Sequence, residues 1–122
     1  MAEHNTIGKE GEEIARKYLE SKGYKIIARN WKTRRAEIDF VAQKKSVLVI
    51  VEVRTKVGEN FGTPEETIDW RKRRKLLGNA KAYVAFCKYI GLYRIDAVCI
   101  VLRGDGSKIP ARLAHYENIV EN

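Results

Sequence analysis

The most hydrophobic part of the chain alternates with a period of two residues, which predicts a β-hairpin. The predicted strands are AEIDFVA (36–42) and VLVIVEVR (47–54), joined by the polar loop QKKS (43–46). One face of the second strand is wholly apolar and consists of Val47, Val49, Val51 and Val53. The opposite face starts apolar near the turn and ends with Glu52 and Arg54. The pattern therefore places charged side chains inside the predicted core.

The length of the hairpin loop predicts which residues face each other. A loop of residues 43–46 places Ala42 opposite Val47 and Asp39 opposite Ile50. Asp39 and Glu52 are then diagonal neighbours on one face, about 7–8 Å apart. Two carboxylates at that spacing can converge on one ion.

Periodic apolar positions predict a helix on each side of these strands. The first helix is predicted over residues 8–22, with Gly23 at its C-terminal end. The second is predicted to start at Thr63 as N-cap, with Glu66 closing a capping box, and to end near residue 88.

Three further strands are predicted at residues 24–31, 92–102 and 109–115. The last is predicted at a sheet edge, because Pro110 lacks a backbone donor. The order is therefore one helix, three strands, one helix and one or two strands. We find no repeat or linker, so a single α/β domain is predicted over residues 1–122.

The net charge of the chain indicates which class of molecule it binds. The chain has 24 Lys and Arg against 16 Asp and Glu, a formal net charge of +8, which favours a polyanionic partner such as nucleic acid. No stretch approaches the ~20 apolar residues of a membrane span, and the N-terminus is not signal-like. A cytoplasmic protein with no membrane partner is expected. Cys87 and Cys99 lie in apolar segments and are predicted to be buried free thiols.

The acidic residues of the first helix and the hairpin predict a metal site. At about 100° per residue, Glu12 falls within roughly 20° of Leu19 and is the acid nearest the buried side of the helix. Asp39, Glu52 and Glu12 together would suit Mg²⁺ or Mn²⁺, since hard cations prefer carboxylate oxygens. Arg54 can neutralise one unit of the charge. The alternative is a cross-strand ladder of ordinary ion pairs.

Basic residues cluster in the run WRKRRK (70–75) and in the loop KTRR (32–35) before the hairpin. Lys72 falls on the apolar side of the second helix, and most of the other cations of the run face outward. A phosphate-contacting surface is expected, with a merely solvated helix face as the alternative. The predicted nucleic-acid contacts are Arg34, Arg35, Lys56, Arg71, Lys72, Arg73, Arg74 and Lys75.

The last two predicted strands carry three further polar residues of interest, Arg94, Asp96 and His115. Arg94 and Asp96 share a strand face, and a structural ion pair is predicted for them. His115 is isolated in the sequence and is not predicted to be catalytic.

Several spaced motifs resemble the bacterial YraN family. They are GxEGEExAxxYLxxxGY, ARNW, AEIDFVA and VEVRTK within residues 8–56, followed by FGTPEETI and YRIDAV. That family is similar to nucleases of the restriction-endonuclease-like fold, the PD-(D/E)xK superfamily, and to archaeal Holliday-junction resolvases. The resemblance implies a three-layer α/β fold, order αβββαβ(β), with a central mixed sheet of four to five strands flanked by helices.

The resemblance also implies site residues. The helix glutamate, hairpin aspartate, strand glutamate and basic residue of such nucleases correspond to Glu12, Asp39, Glu52 and Arg54. Arg54 departs from the usual lysine, and a guanidinium with a pKa above about 12 cannot be a general base. Lys56 or Lys72 could supply an ammonium group instead.

The expected function is metal-dependent cleavage of DNA, including branched or junction DNA. In that reading Asp39 and Glu52 bind the metal, and Glu12 is a ligand or orients water. The alternative is a non-catalytic nucleic-acid-binding module that retains the fold, and RNA as the substrate stays open. A homodimer would suit two strands of a junction, but no self-complementary patch is readable, so the oligomeric state also stays open.

Overall fold

A computed structural model describes the backbone of residues 2–120 and the side chains of residues 6–120. Along this part of the chain the order of elements is α1 (Ala2–Ser21), β1 (Lys25–Lys32), β2 (Glu37–Lys44), β3 (Val47–Val57), a 3₁₀ helix (Glu65–Thr67), α2 (Trp70–Cys87), β4 (Tyr93–Leu102) and β5 (Arg112–Tyr116). The predicted order is confirmed. No helix in the described range is both long and apolar enough to cross a membrane.

The strands form one mixed sheet in the order β1-β2-β3-β4-β5. Neighbouring strands are antiparallel except β3 and β4, which are parallel. A parallel pair needs a crossover connection, and α2 supplies it. β5 lies at an edge as predicted, although it starts after Pro110 rather than before it.

Two apolar cores, one on each face of the sheet, make the fold three layers deep. The core under α1 includes Ala15, Leu19, Phe40, Val49, Val51, Val98 and Ile100. The core under α2 includes Val41, Leu48, Ile50, Leu76, Ala80, Tyr83 and Ile95. Alternate residues of β3 thus serve opposite cores, as the period of two predicts.

The predicted register of the hairpin is wrong by two residues. Lys45 adopts a left-handed conformation, with φ of 56°, and the strands are joined by a two-residue turn instead of four. Lys44 therefore pairs with Val47 and Phe40 with Val51. A shift of two residues leaves Phe40, Val41, Ala42 and the residues of β3 on their predicted faces. Ile38 is the exception: it was predicted on the face of Phe40, but it packs in the core under α2, beyond the last paired residue of β2.

The predicted start of the second helix is also wrong. The capping box exists: Thr63 N donates to Glu66 Oε1 at 2.6 Å, and Glu66 N donates to Thr63 Oγ1 at 3.3 Å. It caps only the 3₁₀ helix, because the buried Ile68 leaves helical conformation. α2 begins afresh after Asp69, whose carboxylate accepts from Lys72 N at 2.9 Å.

The ends of both helices agree with prediction. α1 is followed by Gly23 in a left-handed conformation, and Tyr24 N donates to Leu19 O at 3.0 Å. α2 ends at Cys87, and Lys88 is left-handed in the same way. Cys99 is buried as expected, but Cys87 is exposed, although it follows the buried Tyr83 by one helical turn, because it lies at the end of α2 and lines an open pocket there. Both cysteines are free.

α1 approaches β3 closely at one point, and the residue there is Gly11. A Cβ atom on Gly11 would lie 1.9 Å from Thr55 Oγ1 and 2.8 Å from Thr55 Cβ. Both distances are shorter than the nonbonded contacts that a Cβ atom makes in proteins. The absence of a side chain therefore sets the depth of α1 on the sheet, and with it the position of Glu12, the next residue.

We predict that Gly11→Ala destabilises the protein by about 2–3 kcal/mol, because the helix must lift from β3 to admit a methyl group. Chemical unfolding measures this change. Gly8→Ala is the matched control, since nothing lies within 4 Å of its added Cβ. The control should be neutral or stabilising by up to about 1 kcal/mol, as alanine favours helix. Equal stability of the two variants would contradict the close contact.

Candidate active site

Asp39 and Glu52 meet where the pairing of β2 and β3 stops. The last paired residues are Phe40 and Val51, so Asp39 and Glu52 are the next residues along the two strands. Asp39 Oδ2 accepts a hydrogen bond from Val53 N at 2.8 Å. If the ladder continued, the N–H group of Val53 would instead donate to a backbone carbonyl of β2. The two acids lie across from each other, rather than on the predicted diagonal.

Glu52 is buried, at 7% exposure, and contacts two cations. Its Oε2 atom lies 3.3 Å from Lys72 Nζ and 3.4 Å from Arg54 Nη1. Lys72 comes from the first turn of α2, on the side of the helix that its apolar periodicity predicts. The ammonium group therefore reaches the strand acids from another layer of the fold.

Arg54 is held in place by the segment before α2. Its Nε donates to Thr67 Oγ1 at 2.8 Å, and its Nη2 donates to the Thr67 carbonyl at 3.4 Å. Thr67 Oγ1 donates in turn to Pro64 O at 2.6 Å. Sequence patterns gave no signal for Thr67, because its role depends on how the 3₁₀ helix docks on β3.

Burial and the neighbouring charge of Glu52 raise the pKa of Asp39 from its ordinary 3.8 to about 7. The bond from Val53 N opposes this shift, and the charge of Glu12 adds to it. Within the described residues no Lys or Arg forms an ion pair with Asp39. Asp39 is therefore a partly buried carboxyl group whose charge lacks a direct counterion.

Glu12 lies close enough for its charge to act on both hairpin acids. Burial raises its own pKa, while a hydrogen bond with the Asn30 side chain and the charge of Arg29 lower it. Asn30 is a second residue that sequence patterns did not indicate. It has a left-handed backbone, with φ of 50°, in β1.

The donor set fits a hard divalent cation only in part. In the part of the chain that the structure describes, no three His, Cys, Asp or Glu side chains are grouped to hold a metal ion. Mg²⁺ is commonly bound by one or two carboxylates, with water and substrate phosphate completing its shell. Asp39 and Glu52 meet that requirement, and the uncompensated charge of Asp39 favours a cation. The ligand role of Glu12 stays a prediction.

The predicted basic surface is continuous between α2 and the loop before β2. Lys75 Nζ donates to Arg35 O at 3.4 Å, so the loop folds against the helix. A small pocket of about 130 Å³ lies here, and Lys32, Thr33, Arg34, Arg35, Ala36, Glu37 and Lys75 line it. Asn79 Nδ2 also ties α2 to the loop by donating to Glu37 O at 2.8 Å.

The other residues predicted to contact nucleic acid lie outside this pocket. Arg71 and Arg74 are exposed, and Arg71 lies over the ring of Trp70, 5.8 Å from its centroid. Lys56 is half-buried on β3, two residues beyond Arg54. Their contacts with nucleic acid stay predictions.

Asp96 is the centre of a separate polar network under α1. It is fully buried, and it accepts from Arg94 Nε at 3.0 Å as the predicted pair. His115 Nε2 lies 2.8 Å from the second oxygen of Asp96, and His115 Nδ1 lies 2.9 Å from Tyr18 OH. His115 looked isolated because the sequence does not reveal the pairing of β5 with β4. The network ties α1 to β4 and β5.

A family model described as "Uncharacterised protein family UPF0102" matches residues 11–100 of the chain. The chain belongs to the UPF0102 family. This confirms the resemblance to YraN proteins. The matched range contains Glu12, Asp39, Glu52, Arg54 and Lys72.

Relatives match this UPF0102 chain over most of their lengths. A UPF0102 protein of Porphyromonas gingivalis is 43% identical over 97% of this chain and 86% of the relative. The UPF0102 protein of Phocaeicola vulgatus is 38% identical over 96% of this chain and 93% of the relative. The UPF0102 protein of Herpetosiphon aurantiacus is 36% identical over 96% of this chain and 95% of the relative.

We predict that Asp39→Asn stabilises the protein by roughly 2 kcal/mol at pH 8 and has little effect at pH 4. Between the ordinary pKa of 3.8 and the raised value of about 7, the folded state holds a proton that the unfolded chain has lost. The free energy of unfolding of the parent protein therefore falls as the pH rises through this interval. Asparagine does not ionise, so the variant does not lose this stability.

Urea unfolding of both proteins from pH 4 to pH 8 tests this expectation. Asp105→Asn is the control, because Asp105 is exposed and only accepts a bond from Ser107 N at 2.9 Å. A stability difference between Asp39→Asn and the parent that does not change with pH would show that Asp39 is ionised normally.

Proposed function

We propose that this UPF0102 protein is a Mg²⁺- or Mn²⁺-dependent endonuclease that hydrolyses a phosphodiester bond in DNA, including branched or junction DNA. The observation that carries the proposal is the pair of adjacent carboxylates, Asp39 and Glu52, flanked by Lys72 and Arg54. Such a pair is costly to bury and useful for holding a cation. The net charge of +8 favours a nucleic-acid substrate.

Asp39 and Glu52 would hold the metal, and Glu12 would be a further ligand or would orient the attacking water. A divalent cation in this position supplies a more acidic water molecule and stabilises charge on the phosphate. Asp39 must lose its proton to serve as a ligand. Metal affinity should therefore rise with pH through about 7, where Asp39 titrates.

Lys72 would bind the scissile phosphate. Its ammonium is 3.3 Å from Glu52 and 28% exposed, so it can contact an incoming anion without leaving the site. Arg54 would hold the side chain of Glu52 in position, because its guanidinium is bonded to Thr67 on one side and pairs with Glu52 on the other.

The flanking duplex would follow the basic surface of α2 and the loop at residues 32–36. Arg34, Arg35 and Lys75 line one pocket there and would contact backbone phosphates. Phosphate contacts do not depend on base sequence, which suits an enzyme that recognises the shape of DNA. Cutting two strands of a junction would require a second copy of the chain.

We predict metal-dependent cleavage of flapped or branched DNA by the purified protein, with a loss of about 10²–10³-fold on Asp39→Asn or Glu52→Gln. Lys72→Ala should reduce cleavage, because it removes the cation beside Glu52. Lys81→Ala is the matched control, since Lys81 is exposed and lies half a turn around α2 from Lys72. Gel assays with Mg²⁺, Mn²⁺ or EDTA measure these effects.

Mn²⁺ titration calorimetry checks the metal site without cleavage. The parent protein should bind Mn²⁺ more tightly at pH 8 than at pH 6, and Asp39→Asn should not bind it. Cleavage that persists unchanged in Asp39→Asn would come from a contaminant or from another site.

The second candidate function is a non-catalytic nucleic-acid-binding module. It is favoured by two observations within the described residues: Lys72 and Arg54 already neutralise Glu52, and no three acidic side chains are grouped for a metal. This candidate predicts binding without metal dependence or turnover. RNA would also be a possible ligand, because a basic surface does not distinguish the two sugars.

We predict that the double variant Arg35→Ala/Lys75→Ala weakens DNA binding and lowers the log–log salt slope by about two, one for each lost phosphate contact. Fluorescence anisotropy at several salt concentrations measures the slope. Lys22→Ala/Lys45→Ala is the control with the same change in charge, because both residues are exposed and lie away from this surface. Equal slopes for the two variants would show that the DNA binds elsewhere.

A further inference from the structure

A cavity of about 300 Å³ on the α2 face of the sheet has no role in the function proposed above. Its size is at the small end of the range for ligand pockets. The lining is mainly apolar. Its less polar part is made by Ile68, Ala97, Cys99, Ile119 and the ring of Tyr116, and its charged part by Glu65 and Arg73. This composition fits a flat, mostly apolar group of limited size.

The cavity lies beside the acidic pair, one strand away. In the β3–β4 register Glu52 pairs with Ala97, and Arg54 pairs with Cys99. Paired residues of neighbouring strands point to the same face, and adjacent strands are about 4.8 Å apart. The side chains that line the cavity and those that form the site are therefore direct neighbours.

Glu65 provides a fixed hydrogen-bond acceptor at this cavity. Arg112 Nη1 and Nη2 donate to its two oxygens at 2.6 and 2.9 Å, and Tyr116 OH donates to Oε2 at 2.7 Å. The bonds from Arg112 lower the pKa of Glu65 to about 2. The carboxylate stays ionised, and Oε1 keeps one lone pair for an amino group of a ligand.

Arg73 provides a cation at the same cavity. It follows Lys72 in the chain, and its bonds to Ile68 O and Ile119 O are long, at 3.4 and 3.5 Å. Its side chain is exposed, so its guanidinium can also pair with a phosphate. An apolar cavity with an aromatic wall, an acceptor and a cation matches the parts of a single nucleotide.

We propose that the cavity receives one unpaired nucleobase, from the nucleotide next to the scissile phosphate at the site of Asp39, Glu52 and Lys72; this inference rests on the endonuclease function proposed above. Every base has a π-face that can stack on an aromatic ring, so the pocket tolerates sequence. Intact duplex must first unpair a base, which costs a few kcal/mol. The cavity would therefore select flapped, branched or single-stranded DNA over duplex.

The test uses flap DNA with 2-aminopurine placed in turn at positions around the branch, without metal. Stacking on protein changes the fluorescence of this base, and the change should be confined to one or two positions. Tyr116→Ala should abolish the change and weaken flap binding about five- to tenfold, as expected for loss of one stacked base. Tyr116→Phe keeps the ring and should keep the signal.

Thermal melting of each variant confirms that it is folded. Tyr116 lies on an edge strand and is 42% exposed, so its replacement should be tolerated. Tyr116→Leu serves as a second variant, since it fills the position without an aromatic ring. A fluorescence change that persists in both Tyr116→Ala and Tyr116→Leu would overturn the proposal, as would the absence of any change in the parent protein.

The outcome separates this inference from the endonuclease proposal. A signal that depends on the Tyr116 ring, without cleavage in Mg²⁺ or Mn²⁺, would support the base pocket in a binding module. Cleavage without such a signal would overturn the pocket and leave the endonuclease intact. A flap strand made of RNA tells which nucleic acid supplies the base.

Discussion

The structure of the site depends on two carboxylates held beside each other at the end of a hairpin ladder. Like charges about 4 Å apart repel by roughly 4 kcal/mol at an effective dielectric of 20. A bond from Val53 N fixes Asp39, and two cations partly neutralise Glu52. Burial and, after it, the remaining repulsion from Glu52 raise the pKa of Asp39. Replacing one of the two acids by a neutral residue would therefore make the fold more stable.

Both helices help to place groups around this pair. The missing side chain of Gly11 lets α1 pack against Thr55, and so brings Glu12 within electrostatic reach of the hairpin acids. α2 connects the parallel strands and carries Lys72 in its first turn. Because Asp69 rather than Thr63 starts α2, the break at Ile68 leaves Thr67 free to hold Arg54. The connection that creates the parallel pair thus also completes the site.

The sequence predicted which face each strand residue would occupy better than it predicted which residues would pair. Alternation has a period of two, so a register error of two residues left Asp39 and Glu52 on the same face. The side of Lys72 on α2 was predictable for a similar reason, since its angle depends only on periodicity. The start of α2 was not, because a capping box is a local signal and does not reveal how many turns follow it. The contacts of Thr67, Asn30 and His115 require tertiary docking.

Arg54 stands where the nucleases that the sequence resembles usually carry lysine, and the contacts of Arg54 and Lys72 show different roles for the two cations. A guanidinium cannot accept a proton at neutral pH, but its planar fork can satisfy several acceptors at once. Arg54 does so with Thr67 and Glu52. The ammonium beside Glu52 comes instead from Lys72, on a different element. Lysine at residue 54 could not make the same set of bonds, because its single nitrogen lacks the fixed spacing of the fork. In the proposed endonuclease, an arginine at residue 54 therefore need not remove the ammonium group from the site, since Lys72 of α2 places one beside Glu52.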